Sequence, residues 1–282
     1  MRLFAIADLH LAHEVNRAAF AALEPHPQDW LIIAGDIAER LDRITEGFAM
    51  AREKFARVIW APGNHDLWTA PAPDAGDDAQ PVPLPLRGEA KYRAIIASAR
   101  ALGVDTPEDP YPVWDGPGGP CLIAPLFLLY DYSFRPPDIA RDDVVAWARE
   151  GRAVCADEIR LDPSPHPSRE AWCAARLALT EARLEASGNQ LATILVNHYP
   201  LRADLVRIPR IPRFTPWCGT HATHDWHQRF NARVAIHGHL HVRRTDWRDG
   251  TRFEEVSLGY PRQWRPERGV AAYLRPILPA PA

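Results

Sequence analysis

Three short apolar runs near the start of the chain, each ending on a polar or glycine-bearing block, constrain the fold more than any other feature. Leu3 to Ala7, Trp30 to Ala34 and Val58 to Ala61 are too short for buried helices, so each reads as a strand covered on both faces. Between them, about Glu14 to Leu23 and Leu41 to Phe55 space their apolar residues by threes and fours, as helices do. Strand, helix, strand, helix, strand predicts a right-handed parallel sheet and an α/β class. Ligands of such sheets bind beyond the carboxyl ends of the strands. The blocks at those ends are Asp8-Leu9-His10, Gly35-Asp36 and Gly63-Asn64-His65-Asp66.

The rest of the chain extends the pattern. Ala90 to Leu102 and Arg169 to Ala186 read as helices, the second stopped near Gly188. Cys121 to Leu129 reads as a central strand, and Leu191 to Val196 as another that ends on Asn197-His198. Arg233 to Ile236 leads into His237-Gly238-His239-Leu240-His241, and Asp249-Gly250 turns a hairpin between Val242 to Trp247 and Arg252 to Leu258. Ala70 to Leu86 is rich in proline and aspartate and is either a surface excursion or a lid. No repeat or low-complexity linker interrupts the 282 residues, which suits one domain over 1–282 with a loop insertion at about 70–88.

The residues that follow the predicted strands are Asp8, His10, Asp36, Asn64, His198, His239 and His241. One histidine at a strand end is ordinarily a hydrogen-bonded structural residue; seven oxygen and imidazole donors at one sheet edge point to metal. Asp8 and His10 are two residues apart and would face the same side of an extended chain, and His239 with His241 repeats that spacing. Carboxylate with imidazole suits Mn²⁺, Fe or Zn²⁺. Cys121, Cys155, Cys173 and Cys218 form neither a C-x-x-C pair nor zinc-finger spacing, and read as free thiols.

The order D-x-H, G-D, G-N-H-D, N-H, G-H-x-H resembles the calcineurin-like metallophosphoesterase superfamily, across residues 8 to 241. The resemblance implies a two-sheet β-sandwich flanked by α-helices and a dinuclear centre. One ion would take Asp8, His10, Asp36 and His241; the other would take Asp36, Asn64, His198 and His239, so Asp36 bridges. It further implies phosphodiester hydrolysis, with a metal-bound hydroxide attacking phosphorus in line. His65 matches the histidine that protonates the leaving oxygen, oriented by the following acid, Asp66; a purely structural His65–Asp66 pair is the alternative.

Gly35-Asp36-Ile37-Ala38-Glu39-Arg40-Leu41 lacks the closing glycine of the protein phosphatases of this superfamily, and little chain remains for a DNA-capping domain. Outside the metal blocks, other segments are distinctive: Asp29 to Asp36, Phe127 to Phe134, Trp217 to Thr220, Asp225-Trp226-His227 and Phe253 to Pro261. Together they look like bacterial 4′-phosphopantetheinyl hydrolases. That resemblance implies removal of the 4′-phosphopantetheine arm from a holo acyl or peptidyl carrier protein. The alternatives are a general phosphodiesterase or nucleotidase, and a non-catalytic scaffold, which should have lost ligands.

Carrier proteins are acidic, so a basic dock is needed. Arg202, Arg207, Arg210 and Arg213 follow His198, and Arg243 and Arg244 follow His241; they are either that dock or solvated surface arginines. Pro209 and Pro212 should keep Val206 to Phe214 extended. His13 either lines the site or begins a helix. His221, His224 and His227 read as surface or packing residues rather than a third metal site. A formal charge of −3 argues against a stable nucleic-acid partner. No apolar run approaches the ~20 residues that span a bilayer, and the start is too short for a signal peptide, so a cytoplasmic protein is expected.

Overall fold

The computed structural model describes residues 1–70 and 85–280. The expected loop or lid at Ala70 to Leu86 therefore lies outside the described residues, apart from its ends. Among the described residues, eleven strands form in chain order: β1 (Leu3–Ile6), β2 (His26–Ala34), β3 (Phe55–Ala61), β4 (Val104–Asp105), β5 (Val113–Trp114), β6 (Cys121–Pro125), β7 (Ala192–Val196), β8 (Ala232–His237), β9 (Arg244–Arg248), β10 (Thr251–Glu255) and β11 (Arg275–Leu278). They make two sheets, ordered β11-β1-β2-β3-β4 and β5-β6-β7-β8-β10-β9. β1 to β4 run parallel, as do β6, β7, β8 and β10, while β5, β9 and β11 close the edges antiparallel.

The apolar runs fail to alternate because both faces of the first sheet are covered. Leu3, Ala5, Ile32, Ala34 and Ile59 meet Ile123, Ile194, Val196, Val234 and Ile236 of the second sheet. Phe4, Ile6, Leu31, Ile33, Val58 and Trp60 lie in a second core with Phe20, Ile44, Phe48, Tyr92 and Ile95, from the helices Glu14–Ala21, Leu41–Lys54 and Gly88–Ala101. Each such side chain contributes roughly 1.5–3 kcal/mol by leaving water.

Three expectations change. The strand expected to reach Leu129 stops at Pro125, because the Leu128 amide donates to the Asn197 side chain (3.3 Å) instead of a neighbouring strand. Val206 to Phe214 is not extended throughout: Pro212–Trp217 is a 3₁₀ helix, and a proline at the first helical position has no donor to lose. β11 was not expected. Its four residues carry a proline and no usable period, yet it pairs with β1.

The sheets join at the end that matters. Ala7 bridges to Ser257, its amide reaching the Val256 carbonyl (3.1 Å) and its carbonyl the Leu258 amide (2.8 Å). The loops after β1, β2, β3, β7 and β8 therefore open onto one cleft. Among the described residues, no helix is long and apolar enough to cross a membrane.

Candidate metal centre

Beyond β1, β2 and β8 the backbone turns sharply. Asp8, His10, Asp36, His239 and His241 all have positive φ, between 44° and 70°. The expectation that Asp8 and His10 share a face of an extended chain is thus corrected, and likewise for His239 and His241. Aspartate and histidine tolerate this left-handed region better than most residues, and such backbone costs gather where side chains must be aimed. Gly35, at φ 89°, has no substitute: a Cβ there would lie 2.6 Å from the Gly63 amide nitrogen and from His198 Nδ1.

These turns bring the seven expected residues together. His241 Nε2 lies 2.9 Å from Asp8 Oδ1 and 3.3 Å from His10 Nε2. His198 Nε2 lies 3.3 Å from Asp36 Oδ2 and 3.2 Å from Asn64 Oδ1. Their outer atoms are held by neighbours that fix their direction. His198 Nδ1 donates to the Ala34 carbonyl (2.9 Å) and His241 Nδ1 to Gln263 Oε1 (2.7 Å). The Asn64 amide donates to Asp157 (2.9 Å), which leaves its oxygen facing inward. Ser257 Oγ donates to Asp8 Oδ2 at 2.6 Å.

Metal suits this donor set on two grounds. Asp8, His10 and His241 offer ligand atoms within 4.8 Å of one another, as do Asp8, Asp36 and His198. Buried His239 Nε2 and His10 Nδ1 also have no hydrogen-bond partner, a costly state that a cation would relieve. Charge points the same way. Burial pushes the His198 and His241 imidazoles down, but Asp36 and Asp8 outweigh it and lift them to about 10 and about 9. Burial, then the neighbouring His65 and His198, drops His10 and His239 to about 3. Burial alone would raise Asp8 and Asp36, yet His241 and His198 hold both below the usual carboxylate range. A divalent ion would supply the positive charge that these carboxylates favour on the two imidazoles, and its binding would release protons.

His65 is oriented differently from expectation. Its Nδ1 donates to Glu39 Oε1 (2.8 Å), not to Asp66. Asp66 is fully buried and accepts from the amides of Asp36, Ile37, Ala38 and Gly63 and from Trp60 Nε1, between 2.7 and 3.3 Å. It shapes the two ligand loops and has no path to substrate. Trp68 lies over the His65 ring at 3.5 Å, and Tyr260 stacks on His10 at 4.3 Å with its hydroxyl 3.4 Å from His65 Nε2. Burial lowers the His65 imidazole, but Asp36 and Glu39 outweigh it and hold it above its ordinary value. Glu39, Tyr260, Trp68 and Gln263 were missed; two had a signal, Glu39 three residues past Asp36 within a block already singled out, and Tyr260 within the Phe253 to Pro261 segment.

The arginines divide. Arg202, with 11% of its side chain exposed, pairs with Asp204 (2.9 Å) and Asp249 (3.2 Å). Arg213 bonds the Trp147 carbonyl and Glu150, and Arg244 pairs with Asp246. Arg243 donates to the carbonyls of Val256, Ser257 and Tyr273 (2.7–2.8 Å), so it braces the chain and does not face substrate. Arg207 and Arg210 remain exposed. His13 is exposed at the start of its helix, edge-on to Tyr260 at 5.6 Å, on the rim of the cleft. His227 pairs with Asp249 (3.0 Å), and among the described residues no metal-like cluster includes His221, His224 or His227. All four cysteines are buried and free. Sequence reading passed over Arg160, exposed and 5.1 Å above Trp68, and Arg262, exposed at the cleft wall.

A two-sheet sandwich that aims oxygen and imidazole donors from five loops into one cleft is the architecture of a metal-dependent phosphoesterase. The chain belongs to the calcineurin-like phosphoesterase family, which it matches over residues 1–243. It is 47% identical over 281 residues to the [acyl-carrier-protein] phosphodiesterase PptH of Mycobacterium tuberculosis, covering 99% of this chain and 84% of that protein. It superposes on the crystal structure of the M. tuberculosis phosphopantetheinyl hydrolase PptH with a TM-score of 0.90, across 99% of this chain and 96% of that one. A protein of Thermus thermophilus, TT1561, shares the fold at 11% identity (TM-score 0.51, covering 91% of this chain and 89% of that one). This chain is therefore a phosphodiester hydrolase of a family that binds divalent metal ions.

Proposed function

We propose that the enzyme hydrolyses the phosphodiester joining a 4′-phosphopantetheine arm to the serine of an acyl or peptidyl carrier protein, releasing apo protein and 4′-phosphopantetheine. The observation that carries this reading is the 47% identity, over nearly the whole chain, to a protein named for that activity. Asp8, His10, Asp36 and His241 would hold one ion and Asp36, Asn64, His198 and His239 the other, with Mn²⁺ or Fe favoured and Zn²⁺ next. When bound, such a pair neutralises phosphate charge and lowers the pKa of a water.

The chain's own side chains supply the rest. Water's oxygen joins phosphorus, the bond from phosphorus to the serine oxygen breaks, and His65 gives the Nε2 proton to that oxygen; water's proton goes to solvent. Glu39 stabilises the protonated ring through Nδ1, and Trp68 with Tyr260 fixes the ring plane. Carrier proteins work in the cytoplasm, where the four thiols stay reduced.

The test incubates enzyme loaded with Mn²⁺ with a holo carrier protein and weighs the product. Loss of the arm's mass supports the reading. An unchanged holo mass, from enzyme that still cleaves bis-nitrophenyl phosphate, would leave a general small-molecule phosphodiesterase instead.

A further inference from the structure

The cleft above the metal centre does not end at His241. It continues into a groove of about 540 Å³, a volume typical of small-molecule sites. Ile208, Ile211, Leu240 and Val242 line it, and Arg262 borders both groove and cleft. The floor is firm: Leu240 packs on Phe134 and Cys218, with Ile208 and Phe214 against them. Ile211 and Val242 nonetheless leave 40% and 39% of their surface exposed. Leu240 lies between ligands His239 and His241, so the groove is tied to the metal loop itself.

A phosphodiester carries two alcohols, and only one leaves. In an in-line displacement the departing oxygen lies opposite the incoming one, and the retained ester oxygen is one of the three around the equator. The two alcohols must therefore run in different directions from phosphorus. The leaving serine belongs beside His65, whose end of the cleft is walled by Trp68, Val154 and Cys155. The groove is bordered by His241 and Gln263 and not by His65.

We propose that this groove is the subsite for the retained arm, the pantetheine chain, while the carrier protein sits at the His65 end; this rests on the carrier-protein reading above. The arm is slender and uncharged between its phosphate and its thiol, with a branched dimethyl carbon and two amides. Ile208, Ile211, Leu240 and Val242 suit its carbon skeleton. Arg210 and Arg262 offer N–H donors to amide carbonyls and to phosphate, and Arg262 has no hydrogen-bond or ion-pair partner among the described residues. A volume of about 540 Å³ matches a small-molecule chain rather than a protein element.

Calorimetry on the Mn²⁺-loaded enzyme, with 4′-phosphopantetheine and inorganic phosphate as separate probes, tests this. Burying the arm should make 4′-phosphopantetheine bind at least about tenfold more tightly than phosphate. Val242→Asp and Ile211→Asp, both at exposed positions, should each shrink that ratio several-fold, with phosphate as the internal control on the metal centre. Equal binding of the two probes, or a ratio that survives both substitutions, overturns the assignment. So does a ratio left intact while KM for holo carrier protein rises, which would make the groove a protein dock. Failure of the carrier-protein reading shows separately, as holo protein left uncleaved by the wild type.

Discussion

The metal centre and the arginines around it are built by opposite rules. At the centre, short side chains sit on backbone that turns at fixed points, so position in the chain decides direction. Asp8, Asp36 and His239 cannot point elsewhere without undoing the turn that carries them. The arginines are long, and each guanidinium goes to whichever acceptor lies within reach. Arg202 finds Asp204 and Asp249, Arg213 finds Glu150, and Arg243 finds three carbonyls. Adjacency in sequence is thus a better guide for short ligands than for long cations: Arg202, Arg213 and Arg243 are held by other partners, while Arg210 lines the groove beyond the cleft.

The largest effect should come from Asp36, the residue that both proposed ion positions would share. Asp36→Ala is expected to lose bound metal and cut turnover by about a thousandfold or more, read by elemental analysis beside a rate assay. Metal retained at two ions per chain would break the view that Asp36 bridges. His65→Asn should behave differently. It keeps the metal content and lowers turnover by roughly 10²-fold or more, the usual contribution of a placed general acid. Full turnover would remove the acid role.

How much was legible follows from the same contrast. The parallel sheet and all seven donors could be read because a buried strand has a plain apolar signature and its end is a fixed point. Most strands of the second sheet were read one by one, but their separation from the first sheet came only from resemblance. Of the edge strands, β4 and β5 have two residues each and β11 carries a proline, so none has a period to detect. His65's partner was misassigned for a physical reason. Asp66 is the next residue in sequence, but its carboxylate is drawn under the ligand loops by five N–H donors. Glu39, 26 residues away, reaches the ring from the loop after β2. Tyr260 lies in the distinctive Phe253 to Pro261 segment, but on irregular chain that gives its side chain no readable direction, and Gln263 lies beyond that segment.

Glu39→Gln should have an intermediate effect, about tenfold on turnover, with metal content unchanged. Glu39 helps hold the His65 imidazole above its ordinary value, so its proton persists to higher pH. A general acid works while protonated, and activity falls as pH rises through its pKa. Removing the carboxylate charge lowers that pKa, so the alkaline limb of the rate profile should move to lower pH. A limb that stays in place, or moves upward, would mean Glu39 acts only by packing.

The smallest effects come from arginines, and they separate bracing from docking. Arg243 is half-buried, and burial lowers its guanidinium to about 10, but three carbonyls hold it in place. Arg243→Ala leaves those carbonyls short of a donor and should cost about 1–3 kcal/mol of stability, seen as a lower Tm. Arg160 is the converse: exposed, over Trp68, beside Ile159 with 87% of its surface exposed, at the His65 end of the cleft. Arg160→Glu should leave Tm within the spread of surface substitutions, about 0.5 kcal/mol. It should raise KM for holo carrier protein several-fold and flatten its salt dependence, because a rim charge steers an acidic partner. Arg207→Glu, on the loop beyond the groove, should do neither. If Arg207→Glu raised KM and Arg160→Glu did not, the carrier protein would approach from the opposite side, and the leaving serine would have to reach His65 across the groove.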